Sequence, residues 1–115
     1  GVLTGKYRNG TPADSRAATA HFATFVTPYL NDRSRSIVDA VCTAAQGLGI
    51  APIDVALAWV SARTQVSSTI IGARTAAQVR SLINAFDTEL PSEIHTALDE
   101  VSAIERGYPD FGWNQ

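Results

Sequence analysis

The chain has 115 residues, 45% of them hydrophobic and 17% charged, so it is large enough for one domain with a core of its own. Its net charge of −2 provides no basic field, which argues against nucleic acid or an anionic membrane surface as a partner. The single cysteine excludes an internal disulfide and is typical of a reducing, cytoplasmic compartment, and no apolar run is long enough to span a bilayer.

The start of the sequence is unusual. The chain contains no methionine, not even at position 1, and it opens abruptly on Gly1-Val2-Leu3-Thr4-Gly5. Either processing removed a leader or the chain is part of a longer protein, and we expect the second.

Residues 8–33 are predicted to form a long, lid-like loop. The first half contains turn-forming pairs such as Asn9-Gly10. The second half carries Phe22, Phe25 and Tyr29 at roughly helical spacing. A connection of this length is usually a functional lid or a disordered linker. The aromatic side chains either line a substrate pocket or pack the lid against the rest of the protein.

Two helices are predicted next. The first runs from Ser34 to Gly47, with Ser34 or Ser36 as its cap and Gly47 or Gly49 at its end. The second begins with Pro52 in its first turn and runs to about Arg63. The second helix has almost no polar face and should be buried on most sides. The apolar stripe of the first helix comprises Ile37, Val41, Ala44 or Ala45, and Leu48.

A short apolar strand is predicted from Ser67 or Ser68 to Ile71. A buried strand needs a neighbour on each side to pair its N–H and C=O groups, and this chain does not supply one. We expect the neighbours to come from missing sequence, from another chain, or from a non-native packing.

Two more helices follow the strand. One starts at Thr75, and the other starts near Pro91-Ser92 and ends at Arg106-Gly107. Each has a stripe of apolar residues that should face inward. The stripes are Val79, Leu82, Ile83 and Phe86 in one helix, and Ile94, Leu98, Val101 and Ile104 in the other.

The junction after the strand suggests an anion site. A parallel strand that runs into a helix N-terminus presents free N–H groups and the positive end of the helix dipole. Arg74 adds a planar, permanently charged donor there. The alternative is purely structural: Thr75-x-x-Gln78 is a capping box, in which the Gln78 side chain bonds to the backbone of Thr75.

Four ordered segments resemble the C-terminal part of the aldo-keto reductase family. Gly1-Val2-Leu3-Thr4-Gly5-Lys6-Tyr7 is similar to the family's Gly-x-Leu-Thr-Gly-Lys-Tyr segment after the seventh barrel strand. Residues 55–60 resemble the buried helix before the last strand, and residues 70–78 resemble the eighth strand and its cofactor loop. Residues 98–102 match the closing helix. The four matches occur in the family's order and are spread over nearly the whole chain.

The resemblance implies an α/β protein, a C-terminal fragment of a (β/α)8 TIM barrel that is itself mostly helical with one strand. Residues 1–115 would then be a single partial domain of an NADPH-dependent oxidoreductase that reduces aldehydes or ketones. The family's catalytic residues lie on the second to fourth strands, which this sequence lacks, so no catalytic residue is assigned. We therefore expect the isolated chain not to reduce carbonyls.

The resemblance also assigns residues to the NADPH phosphates. The loop after the last strand would hold the adenosine 2′-phosphate, and two cations from the earlier loop would contact the cofactor phosphates. The residues so assigned are Lys6, Arg16, Gly72, Ala73, Arg74 and Gln78. Where the family has a Glu-Asn pair that binds adenine, this chain has Ser81 and Leu82.

Several other residues are given structural roles. Cys42 is predicted to be a small core residue, and His21 and His95 lack metal-ligand spacing, so no metal site is expected. Lys6 and Tyr7 are not taken as a catalytic pair, because neighbours in an extended chain point apart.

Two other functional classes stay open. Residues 44–60 have the spacing of a helix-turn-helix, although the would-be recognition helix lacks side chains that read bases. The chain could also be a non-catalytic fragment or interaction protein that pairs with another polypeptide.

Overall fold

The computed structural model describes residues 1–104. This part of the chain is helical and contains no β-strand. The α-helices are α1 (Ala20–Val26), α2 (Asp32–Leu48), α3 (Pro52–Ser61), α4 (Ala76–Asn84) and α5 (Ser92–Ser102). Single 3-10 turns lie at Val2–Thr4, Arg16–Ala18, Thr27–Tyr29 and Ala85–Asp87.

The predicted strand at residues 67–71 is wrong for the described part of the chain. Within residues 1–104 the segment forms no regular element and pairs with no strand, and Ile70 is 97% exposed. The physical reason is that residues 1–104 offer no second strand with which its backbone could form a ladder. The other half of the expectation, a mostly helical chain, is confirmed.

Helix α2 begins two residues earlier than predicted. The Asn31 side chain accepts a hydrogen bond from the Ser34 N–H at 2.8 Å, so Asn31 is the cap and the prediction of Ser34 or Ser36 is wrong. The predicted stop at Gly49 is confirmed: Gly49 adopts φ 68° and its N–H bonds to the carbonyls of Ala45 and Gln46.

Helix α3 starts as predicted, with Pro52 at its first position. The Asp54 carboxylate accepts a hydrogen bond from the Ala51 N–H at 2.9 Å, which satisfies a donor at the helix start. Within residues 1–104, no single helix is long and apolar enough to cross a membrane. By length and composition alone α2 and α3 would pass together, but they are bent by 105°.

The core lies where α2, α3 and α5 meet. Its buried cluster consists of Val41, Ala45, Val55 and Leu98, and Val55 is fully buried. The side chains of Trp59, Arg63 and Asp99 form polar contacts beside this core. The Asp99 carboxylate accepts hydrogen bonds from Trp59 Nε1, at 2.8 Å, and from the Arg63 guanidinium, which also stacks 4.0 Å from the Trp59 ring centroid. These contacts tie α5 to the end of α3.

The predicted inward stripe of α4 is wrong within residues 1–104. Val79, Ile83 and Phe86 are 44%, 56% and 46% exposed, and no residue of α4 itself is buried. The stripe has the right period for burial, but the described part of the chain does not cover it. In α5, Leu98 is buried as predicted, whereas Ile104 beyond the helix is 81% exposed. Helix α5 ends at Ser102, and the predicted stop at Arg106-Gly107 lies outside the described residues.

Residues 8–33 are more structured than a plain loop. They contain α1 and two 3-10 turns. Phe22, Phe25 and Tyr29 are 45%, 69% and 60% exposed, so most of this aromatic surface is uncovered by residues 1–104. A lid role for the segment stays a prediction.

Gly5 fixes the N-terminal segment against α2. It adopts φ 77°, a conformation that side chains other than glycine rarely adopt. A Cβ added at Gly5 would lie 2.9 Å from the Cys42 Sγ, so the backbone approaches the helix too closely for any side chain. Cys42 is half-buried, and its thiol forms the surface that Gly5 contacts.

Candidate functional site

The loop that leads into α4 is held by two local hydrogen bonds. Thr75 Oγ1 accepts a hydrogen bond from the Gln78 N–H at 3.2 Å. Gln78 Oε1 accepts a hydrogen bond from the Arg74 N–H at 2.8 Å. The prediction that Gln78 bonds to the Thr75 backbone is therefore wrong by one residue, because its side chain accepts from the N–H of Arg74, which precedes the cap. This hydrogen bond fixes the backbone of Arg74.

The Arg74 side chain reaches the segment that carries Arg16. Its Nη2 donates to the Asp14 carbonyl oxygen at 3.1 Å and lies 3.7 Å from the Asp14 Oδ2. The two residues are 60 positions apart in the sequence, and their side chains are 69% and 84% exposed. This contact joins the cofactor loop of the resemblance to the loop after Gly-Lys-Tyr.

Lys6 lies against the first residue of the described chain, where a Cβ added at Gly1 would be 3.3 Å from the Lys6 Cε. Arg16 begins the 3-10 turn Arg16–Ala18. Both cationic side chains belong to exposed residues. Since Arg16 is two residues from Asp14, the Arg74–Asp14 contact brings the loop at residues 72–78 to the segment that carries Arg16, and Lys6 lies ten residues before Arg16 in the sequence.

Tyr7 lies beside Lys6 rather than pointing away from it. The Lys6 Nζ is 5.1 Å from the Tyr7 ring centroid. The argument that neighbours point apart is wrong here, because this segment forms turns rather than an extended chain. Burial raises the pKa of Tyr7, but the Ser15 hydroxyl, the Ala17 backbone and Lys6 outweigh it, so the net pKa is lowered.

Ser15 is a polar side chain buried beneath this surface. It is 4% exposed, and its Oγ has no hydrogen-bond partner of good geometry within residues 1–104, although the phenol of Tyr7 is close enough to feel its dipole. A buried hydroxyl without a partner is uncommon, because losing water costs free energy that a hydrogen bond normally returns. Ser15 is therefore a buried point of the loop that carries Arg16, and its hydroxyl bears this free-energy cost.

Gly72 and Ala73 border open space. Both are exposed, and a Cβ added at Gly72 would meet nothing within 4 Å. The backbone at position 72 is therefore open to solvent, and the structure shows no steric need for glycine there. Ser81 is exposed and Leu82 half-buried on the following helix.

The charged side chains of these loops are mainly cationic. The exposed lysine and arginine side chains and a helix N-terminus suit phosphate oxygens, whereas Asp14 adds one negative charge beside Arg74. Residues 1–104 contain no group of three or more His, Cys, Asp or Glu side chains placed to hold a metal ion.

Asp14 is the residue that the sequence reasoning missed. Its contact with Arg74 joins residues 60 positions apart, so local spacing does not reveal it. The available signal is an acidic residue two positions before a predicted phosphate ligand, Arg16, where a negative charge is out of place.

Comparison with known proteins agrees with the four matched segments. The model of the aldo/keto reductase family matches residues 1–103. Similar proteins include a probable voltage-gated potassium channel subunit beta of Oryza sativa subsp. japonica, 33% identical over 110 residues, which are 95% of this chain and 33% of that protein. Protein tas of Escherichia coli K12 is 35% identical over 109 residues, which are 94% of this chain and 30% of that protein.

The chain spans about a third of the length of these curated relatives. The family match extends over nearly all of the described residues and includes both loops of the site. The predicted resemblance is confirmed: this chain belongs to the aldo/keto reductase family.

Proposed function

We propose that this chain supplies the phosphate-binding part of an NADPH-dependent oxidoreductase that reduces aldehydes or ketones. The observation that carries the proposal is the Arg74–Asp14 contact, which brings the loop at residues 72–78 against the segment that bears Lys6 and Arg16. Family membership gives the reaction class, and the cationic donor set gives the part of the cofactor that would bind.

Each residue has a role that follows from its chemistry. Arg74 would bind the adenosine 2′-phosphate, since a guanidinium offers paired donors to phosphate oxygens. Gln78 would position Arg74 through the backbone hydrogen bond at 2.8 Å. Lys6 and Arg16 would contact the pyrophosphate, and the open space at Gly72 leaves room for the ribose. When bound, NADPH would supply the hydride that reduces the carbonyl carbon.

The cofactor preference can be tested on the 115-residue chain with two fragments of the cofactor. Adenosine 2′,5′-bisphosphate carries the 2′-phosphate and 5′-AMP does not. A hydrogen bond to a charged group contributes about 1.5–3 kcal/mol, and the exposure of Arg74 favours the low end. Arg74→Ala should therefore weaken the bisphosphate roughly tenfold in isothermal titration and leave 5′-AMP nearly unchanged.

Arg80→Ala provides the control, because it removes the same charge from an exposed position on α4, six residues after Arg74. We expect it to leave both affinities nearly as they are. Equal losses for the two nucleotides in Arg74→Ala, or no loss at all, would remove the 2′-phosphate assignment.

The chain alone is proposed to be inactive in catalysis. No residue of this sequence matches the family's catalytic positions. Purified chain mixed with NADPH and a broad panel of carbonyl compounds should show no NADPH oxidation above the buffer rate. Substrate-dependent oxidation by the isolated chain would contradict this part of the proposal.

A second candidate is an interaction role without catalysis. It is favoured by the exposed apolar stripe of α4 together with the unpaired segment at residues 67–71. Both would be covered by the missing barrel strands, from upstream sequence or from another chain. The similarity to proteins named probable voltage-gated potassium channel subunit beta also supports a role as a subunit.

The two candidates make different predictions for Ile83→Glu. Ile83 is 56% exposed and lies in the last turn of α4, nine positions after Arg74. If the chain acts by pairing, the substitution should abolish association with the partner, measured by sedimentation velocity, and spare nucleotide binding. Helix-turn-helix DNA binding is not supported, because Val55, Leu57 and Ala58 of the would-be recognition helix are buried.

A further inference from the structure

We propose that Asp14 is a specificity-determining residue of the cofactor site. Its carboxylate weakens the binding of a phosphate to Arg74 and so reduces the preference of the site for NADPH over NADH. The inference rests on the proposed function, since it takes Arg74 as the ligand of the 2′-phosphate. It adds a residue of opposite charge to a site otherwise described by its cations.

The geometry gives Asp14 two separable contacts with Arg74. Its main-chain carbonyl accepts a hydrogen bond from Nη2 at 3.1 Å, and its Oδ2 lies 3.7 Å from the same nitrogen. The carbonyl contact positions the guanidinium. The carboxylate contact adds a negative charge that the positioning does not require.

A 2′-phosphate bound to the Arg74 guanidinium would approach that charge, since Asp14 Oδ2 lies 3.7 Å from Arg74 Nη2. A phosphate monoester carries about −1.5 to −2 at neutral pH. Bound to Arg74, it would come close to the Asp14 carboxylate and would compete with it for the guanidinium. NADH has a neutral 2′-hydroxyl at this point, and a carboxylate can accept a hydrogen bond from such a hydroxyl.

The exposure of the pair sets the size of the effect. The Asp14 and Arg74 side chains are 84% and 69% exposed, so water and salt screen their interaction. Exposed charge pairs of this kind change an equilibrium roughly two- to fivefold. The expected result is therefore a modest shift in cofactor preference.

The test is Asp14→Asn in the 115-residue chain, with adenosine 2′,5′-bisphosphate and 5′-AMP as the probes. The substitution keeps the main-chain carbonyl and the size of the side chain, and removes only the charge. At about 0.05 M salt it should tighten the bisphosphate roughly two- to fivefold without tightening 5′-AMP, and the gain should shrink at 0.5 M. Asp87→Asn, the same charge change at another exposed residue, is the control and should change neither affinity.

The possible outcomes separate this inference from the function on which it rests. If Arg74→Ala abolishes the preference for the bisphosphate while Asp14→Asn has no effect or weakens binding, the specificity role of Asp14 falls and the phosphate site stands. If the unsubstituted chain does not prefer the bisphosphate, the phosphate assignment and the role of Asp14 fall together.

Discussion

Replacing Gly5 with alanine should destabilise the chain more than the same replacement at Gly49. Both glycines adopt left-handed backbone conformations, with φ 77° and 68°. That conformation costs a side-chain-bearing residue about 1–2 kcal/mol. The surroundings differ: an added Cβ meets nothing within 4 Å at Gly49, but lies 2.9 Å from the Cys42 Sγ at Gly5.

The difference between the two variants isolates the steric contact. The backbone cost, and the gain from a stiffer unfolded chain, apply about equally to both and cancel in the comparison. Overpacking typically costs about 1–3 kcal/mol, so Gly5→Ala should exceed Gly49→Ala by about that amount. Urea unfolding followed by circular dichroism at the helix band measures each free energy of unfolding.

A double-mutant cycle with Cys42→Ala tests the cause. Removing the thiol should relieve the contact, so Gly5→Ala in the Cys42→Ala background should fall to the cost seen at Gly49. If Gly5→Ala and Gly49→Ala destabilise equally, or if Cys42→Ala gives no relief, the close approach of this segment to α2 is refuted. Since Lys6 follows Gly5 directly, Gly5→Ala should also weaken nucleotide binding.

Three further substitutions test the scaffold. Asp99→Asn should make the free energy of unfolding depend less on pH in the acid range. A hydrogen bond from Arg63 chiefly lowers the Asp99 pKa below its ordinary 3.8, so the carboxylate stabilises the fold fully above that value, and this stabilisation is lost as pH falls through the lowered pKa. The same pH dependence in both proteins, in urea titrations across pH 2–6, would contradict this. Val55→Ala should cost about 2–3 kcal/mol in urea unfolding, because the side chain is fully buried and its loss leaves a cavity. Asn31→Ala should cost about 1 kcal/mol by leaving the Ser34 N–H without its cap, and a neutral result would refute that role.

Local chemistry predicted the helices because it acts within a few residues. Pro52 and Asp54 fix the start of α3, and the left-handed Gly49 ends α2, through hydrogen bonds that never leave the segment. The start of α2 was misplaced because Asn31 and Ser34 are both good caps and only geometry distinguishes them. Boundaries of this kind are where sequence reasoning is least exact.

Longer-range features could not be predicted in the same way. The β-branched run at residues 67–71 has the composition of a strand, but a strand exists only when another pairs with it. The stripe of α4 likewise specifies a buried face without supplying the surface that covers it. In the site, Arg74 could be found through the family resemblance, whereas Asp14 could not, since the contact joins residues 60 positions apart.

The segment before Arg74 should be more dynamic than the helices of the core. From Ser67 to Ala73, no backbone N–H donates a hydrogen bond to another backbone group within residues 1–104. The amide hydrogens of this segment should therefore exchange with solvent almost without protection, while those of α2 and α3 exchange only when the core opens. The loop that carries Arg74 is then joined on one side to α4 and on the other to a segment that should exchange freely. Ordering that segment is a free-energy cost that any ligand or partner bound there has to meet.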